Sequence, residues 1–163
     1  MNRTNELNLI SLVNNIPDPE IPVLTIEDLG IVRDIQFNEQ TVNVTITPTY
    51  SGCPAMEFIE KQIHEIAHEA GFEAKVITVL SPAWTTDWLS EDGKKKLFEY
   101  GIAPPEKGSP NKGLLMNTED RMIKCPQCKS HNTEMISQFG STACKALYKC
   151  NHCLETFDYF KCI

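Results

Sequence analysis

In its first 120 residues the sequence holds a single cysteine, Cys53, so no disulfide can form inside that stretch. No apolar run approaches the roughly 18 residues of a membrane-spanning helix, which argues against a transmembrane segment. The opening MNRTNELNLI lacks a basic stretch followed by an apolar core, so no secretory signal is expected and the chain reads as cytosolic. A basic excess is missing too. The 15 Lys and Arg against 22 Asp and Glu leave a net charge of -7, which argues against binding nucleic acid. Residues 1–120 carry 9 basic and 19 acidic side chains, residues 121–163 carry 6 and 3. Four thiolates closing on one zinc ion would reduce the +3 of that tail to about +1.

What is present is globular: 41% hydrophobic and 23% charged residues over a length that suits one domain plus a small module. Six of the seven cysteines fall between 125 and 162. In a reducing compartment that crowding points to metal or reactive thiols rather than disulfides. APPEKGSPNKG at 103–113 reads as a linker.

The expected architecture is α+β. Residues 4–15 have helical spacing and should end before IPDPEIP, where prolines 17, 19 and 22 forbid regular structure. IVRDIQF (31–37) and VNVTIT (42–47) alternate as strands do, with NEQ between them at hairpin length. A helix is expected over 54–70, closed by Gly71, then a strand over 74–80 and a short helix running to Gly101. The order α-β-β-α-β predicts a small two-layer α/β domain at 1–102, with helices on one face of a mixed sheet. A linker at 103–120 and a C-terminal zinc ribbon at 121–163 complete the expected layout.

Within the second helix, HEIAHEAGFEA (64–74) fits the zinc-protease pattern H-E-x-x-H. On a helical wheel, Met56, Ile59, Ile63, Ile66, Ala67 and Ala70 form the apolar stripe. His64 and His68 sit roughly 110° and 150° from its centre, on a charged face. The third ligand of the longer motif would fall on Ala74, and nothing singles out a distant substitute such as Glu91. These histidines read as exposed, not as ligands.

Cys53, in TPTYSGCPA, stands at the expected start of that helix. Gly52 permits a tight approach, and Pro54 suits the first turn. The positive end of the helix dipole should lower the thiol pKa and favour a thiolate able to bind metal or attack an electrophile. Packing as a small apolar residue is the plainer alternative. Asp18, Glu20, Glu27 and Asp28 crowd one rigid segment, either as turn caps or as an acid–base pair.

Residues 125–153 contain C-x2-C, 21 residues, and C-x2-C. Two such knuckles joined by strands make a tetrahedral S4 site from Cys125, Cys128, Cys150 and Cys153. Zinc is the default and a mononuclear iron the runner-up. About 40 residues need such a staple to fold. Cys144 is an alternative ligand, with Cys162, His131 and His152 as further spares. Phe157, Tyr159 and Phe160 read as ribbon core.

DPEIPVLTIEDLGIVRDI and TPTYSGCPA resemble the MIP18 (DUF59) family, through Asp18-Pro19-Glu20, Asp28-Leu29-Gly30 and Gly52-Cys53-Pro54. The tail ISQFGSTACKALYKCNHCLETFDYFKCI resembles the PaaD (PaaJ) subgroup, whose members accompany the phenylacetyl-CoA ring epoxidase of phenylacetate degradation. The resemblance implies a non-catalytic role in assembling or delivering iron–sulfur clusters, with the epoxidase's [2Fe–2S] reductase as client. It makes Cys53 the cluster-binding or reactive thiol, with Asp18, Glu20 and Thr49 around it. One cysteine cannot hold a cluster alone, so a homodimer or a client must supply more ligands, or Cys144 or Cys162 contributes instead. The competing readings are a structural subunit that binds zinc but no cluster, a thiol enzyme, and a nucleic-acid ribbon.

Overall fold

A computed structural model describes residues 3–105 and 123–161. It contains two compact units, one ending at Trp84 and one beginning at Thr85.

The first unit opens with α1 (Arg3–Asn14), which buries Leu9 and Val13, one turn apart. β1 (Val32–Asn38) and β2 (Thr41–Ile46) form an antiparallel hairpin through a two-residue turn. Glu39 in that turn has φ 50, the left-handed conformation such short hairpins demand. α2 (Ala55–Glu69) then crosses over, and β3 (Glu73–Thr78) returns parallel to β2. The sheet order is β1-β2-β3, so the mixed sheet and the α-β-β-α-β order are as expected.

β2 is central, and its alternation is strict. Val42, Val44 and Ile46 are fully buried, while Thr41, Asn43 and Thr45 face the other side. Register places Ile35, Phe37, Ala74 and Val76 on the same face as the buried β2 residues. α2 contributes Ala55, Ile59, Ile63 and Ala67 to the core. Full burial of each isoleucine contributes about 1.5–3 kcal/mol, enough to fix which way the helix faces.

The proline-bearing segment is more than a connector. Ile16, Ile21, Leu24, Ile26, Leu29 and Ile31 are all at most 2% exposed. A bridge between Pro17 and Thr25 closes it into a compact turn. The indole of Trp84 donates to the Leu29 carbonyl at 2.6 Å and pins the segment's far end.

The second unit begins with a 3-10 turn (Thr86–Trp88) and α3 (Glu91–Tyr100), whose Ser90 cap accepts from the Gly93 N–H at 2.8 Å. β4 (Ile102–Ala103) follows, then β5 (Thr133–Ser137), β6 (Lys145–Cys150) and β7 (Thr156–Phe160). Their order is β4-β7-β6-β5, with β4 parallel to β7 and the rest antiparallel. The first domain was expected to run to residue 102. Instead, α3 and β4 fall in the second unit, because β4 adds an edge strand to the ribbon sheet. Most of the expected linker lies outside the described residues. Tyr148 stacks on Phe157 and meets Tyr159 edge-on, at centroid distances of 5.9 and 5.6 Å. With Phe160 at 1% exposure, these aromatics are ribbon core, as expected.

Candidate functional site

The four ribbon cysteines converge. The sulfurs of Cys125, Cys128, Cys150 and Cys153 all lie within 4.8 Å of one another. Cys125–Cys153 is 3.8 Å and Cys128–Cys150 is 3.5 Å. A tetrahedral ion with Zn–S bonds near 2.3 Å would set sulfurs about 3.8 Å apart. The donor set and spacing therefore fit a metal ion.

The two knuckles repeat one backbone design. Cys125 N–H donates to the Ser130 carbonyl and Cys150 N–H to that of Glu155, both at 2.9 Å. Each knuckle then turns through a left-handed residue, Lys129 at φ 64 and Leu154 at φ 67. Neither position is a glycine, so this turn left no mark in the sequence. The Cys153 N–H, with the neighbouring thiols, draws the Cys150 thiol down to about 6. Cys153 accepts from the Glu155 N–H, yet burial and its three neighbouring thiols outweigh that and push it up to about 12. Four crowded thiols share protons unequally, and a cation relieves the crowding.

The spare ligands within the described residues do not join them. Cys144 is buried, with its sulfur 3.1 Å from the Thr142 hydroxyl. It precedes β6 whereas Cys150 ends it, and six residues of extended strand span roughly 20 Å. His131 and His152 are exposed. Cys162 lies outside the described residues. Among the described residues, the four-cysteine group is the one set of three or more donors close enough to hold a metal. His64 and His68 are exposed on α2, and His64 approaches Glu60 only to 4.0 Å. The protease motif is therefore a solvated helix face.

Cys53 is half-buried just before α2. Its carbonyl accepts from the Met56 N–H and its own N–H donates to the Tyr50 carbonyl, both at 3.3 Å. Gly52 sits at φ +83, and a Cβ there would meet nothing within 4 Å. Glycine is needed here for its conformation, not for the close approach the sequence suggested. The Cys53 thiol also departs from expectation, since its pKa is raised. Burial is the largest cause, and the carboxylates of Glu20 and Asp18 push the same way. The Ala55 N–H and the Thr49 hydroxyl pull it down without prevailing. The helix start does supply an N–H, but its effect is outweighed by desolvation and two negative charges.

Asp18, Glu20 and Thr49 thus stand around Cys53. Asp18 is buried, and its Oδ1 accepts from the N–H groups of Glu20 at 2.9 Å and Ile21 at 2.7 Å. Asp28 and Thr25 cap one another: Asp28 Oδ2 accepts from the Thr25 N–H, and Thr25 Oγ1 from the Asp28 N–H. Both aspartates act as caps. Thr47, at the end of β2, was not singled out from sequence. Its hydroxyl oxygen is buried and has no hydrogen-bond partner among the described residues.

The chain matches two family models in tandem. Residues 9–80 match a family described as iron-sulfur cluster assembly protein, and residues 109–161 match the PaaD zinc beta ribbon domain. It is 52% identical over 155 residues to an Escherichia coli (strain K12) protein named as a putative subunit of 1,2-phenylacetyl-CoA epoxidase, covering 94% of this chain and 90% of that one. A Porphyromonas gingivalis protein named "Fe-S protein maturation auxiliary factor" is 30% identical over 95 residues, 56% of this chain and 90% of its own. A solved DUF59 domain from Bacillus anthracis superposes with a TM-score of 0.52 at 26% identity, over 58% of this chain and 92% of that one.

Proposed function

The chain belongs to the PaaD family, in which an iron–sulfur-assembly domain of MIP18 (DUF59) type precedes a cysteine ribbon, and on that premise we propose a non-catalytic accessory role in phenylacetate degradation. It assists the assembly or delivery of an iron–sulfur cluster to the phenylacetyl-CoA epoxidase, with the reductase component as client. The protein works in the cytoplasm, without nucleic acid or membrane; no helix among the described residues is long and apolar enough to cross one. The observation that carries this reading is the half-buried Cys53, faced by Thr49, Glu20 and Asp18, inside the part of the chain that matches the assembly family.

The cluster is cargo. Cys53 supplies one thiolate, so further ligands come from the client or from a second copy of the chain. The ribbon holds zinc through Cys125, Cys128, Cys150 and Cys153, and the metal's part there is to lock the two knuckles together. An attacking thiol enzyme fits poorly, because a nucleophilic cysteine needs a lowered pKa and this one is raised.

A second reading is a structural subunit that binds zinc and no cluster. It is favoured by the lack, among the described residues, of a second donor cluster around Cys53. Metal and acid-labile sulfide measured on protein purified without oxygen separate the two. Zinc in both wild type and Cys53→Ser, with iron and sulfide in wild type alone, supports cluster handling. Zinc alone in both, even when the reductase is co-expressed, leaves the structural subunit.

A further inference from the structure

The edges of the two sheets are not treated alike. Among the described residues, β1, β3, β4 and β5 are the outermost strands. β1 is broken by a register shift between Val32 and Asp34, and β5 by one between Met135 and Ser137. β4 is two residues long. Bulges and shortness are ordinary ways to keep an edge from pairing with another chain. β3 has neither. Its register against β2 runs unbroken from Glu73 to Thr78, and its sequence EAKVIT holds no proline.

Backbone bonding shows what that edge offers. The Glu73 N–H donates to the Gln40 carbonyl at 2.8 Å and the Val79 N–H to the Ile46 carbonyl at 2.9 Å. In a parallel pair both polar groups of one residue point to the same neighbour, and those of the next point away. Glu73, Lys75, Ile77 and Val79 therefore bond to β2, while Ala74, Val76 and Thr78 turn their N–H and C=O outward. No described residue bonds those outward groups. Val76 shares a face with the fully buried Val44 yet is only half-buried, as befits a side chain with a strand on one side only.

Charge decides the occupant. On the face opposite the buried β2 residues, β3 carries Glu73, Lys75 and Ile77, all exposed. Two copies of β3 paired antiparallel about Ala74 set each Glu73 against the partner's Lys75. Ala74 then exchanges both backbone bonds with its counterpart. Glu73 and Lys75 form the closer, non-hydrogen-bonded kind of pair, with Cα atoms about 4.5 Å apart. Opposite charges facing across strands attract, and like charges repel. A two-fold axis at Lys75 would set that lysine against itself. An axis at Val76 makes a longer ladder but matches Lys75 with Ile77 and Glu73 with Val79.

We propose that β3 is a self-association edge, at which two copies of the chain pair antiparallel with the axis at Ala74 and two Glu73–Lys75 pairs fixing the register. β2 and β3 end together, at Ile46 and Thr78, and Cys53 follows β2 at that end of the sheet. An antiparallel partner points its own end the other way, so the two thiols stand at opposite ends of one continuous sheet. Given the maturation role proposed above, the second copy is then no source of further cluster ligands, and the client supplies them.

The test is sedimentation velocity of the full-length chain at rising concentration. Wild type should form a dimer. Lys75→Glu alone and Glu73→Lys alone each replace two attractive pairs by two repulsive ones, and each should weaken the dimer at least about tenfold. Mixing those two variants should restore it as a heterodimer, because every facing pair is again opposite in charge. Ala74→Pro removes the outward N–H at the axis without touching a bond to β2, and should abolish the dimer. The charge variants change exposed residues and should keep the wild-type melting profile and zinc content. A wild-type monomer overturns the proposal and leaves the maturation role, which metal and sulfide content decide, where it stood. A dimer that neither charge reversal weakens, or a mixture that does not re-form it, overturns the proposal as well. A monomer whose binding to the purified apo-reductase is lost in Ala74→Pro would give the edge to a strand of the client instead.

Discussion

Cys53 is chemically quieter than its place at a helix start suggests. Its raised pKa keeps it a thiol at neutral pH. Alkylation by iodoacetamide near pH 7.5 should therefore run slower than for a free cysteine in a peptide, and should climb with pH through a midpoint above the usual value of about 8.5. Glu20→Gln removes one of the negative charges that hold the pKa up, so it should speed labelling. A rate unchanged by that substitution would count against the electrostatic account. The same shift links to stability. A group with a raised folded-state pKa stabilises fully below its unfolded pKa and loses that contribution as pH rises through the folded value. Asp18 acts differently, through two backbone bonds in a buried turn. Asp18→Ala should cost roughly 1–3 kcal/mol by urea denaturation, and Asp18→Asn less, since the amide oxygen can still accept. Thr47→Val removes a buried hydroxyl that has no partner among the described residues and should leave stability equal or higher. Sequence placed Asp18, Glu20 and Thr49 around Cys53 only through family resemblance, because no local pattern relates residue 18 to residue 53. Thr47 gave no signal, since an unsatisfied hydroxyl is a property of its surroundings.

At the scale of elements, periodicity carried most of the outcome. The stripe of α2 and the alternation of β2 are local patterns, and each appears within a residue or so of its expected bounds. Gly71 ends α2 at φ +83, a conformation that penalises any side chain by roughly 1–2 kcal/mol. Gly71→Ala should lower the denaturation midpoint accordingly. The second knuckle offers the mirror test. Leu154 occupies a left-handed position and is 70% exposed. Leu154→Gly should stabilise the metal-bound ribbon by about 1 kcal/mol, read as slower zinc release to a chelator; faster release would show that the leucine does structural work there. Two residues of β4 could not be read from sequence. So short a strand has no period, and it exists because β7 presents a free edge to it.

For the whole molecule, the two units have different sources of stability. Residues up to Trp84 bury an aliphatic core of isoleucine, leucine and valine, whereas the ribbon buries a small aromatic cluster beside four thiols. A strong chelator should therefore melt the ribbon and spare the first unit. Hydrogen exchange would show it as lost protection in β5, β6 and β7 with β1, β2 and β3 unchanged. The sequence by itself determined the helices and strands of the α/β unit, the grouping of four cysteines whose spacing fits a metal, and the exposure of the two histidines. Each of these is written in spacing: 3.6 residues per turn, 2 per strand, or two cysteines bracketing a tight knuckle. Tertiary structure alone decided where the compact units divide, that Cys144 stands a strand's length from the four-cysteine group, and that burial with two nearby carboxylates raises the Cys53 pKa. Those outcomes depend on distance and dielectric between residues far apart in the chain, and no local pattern encodes either.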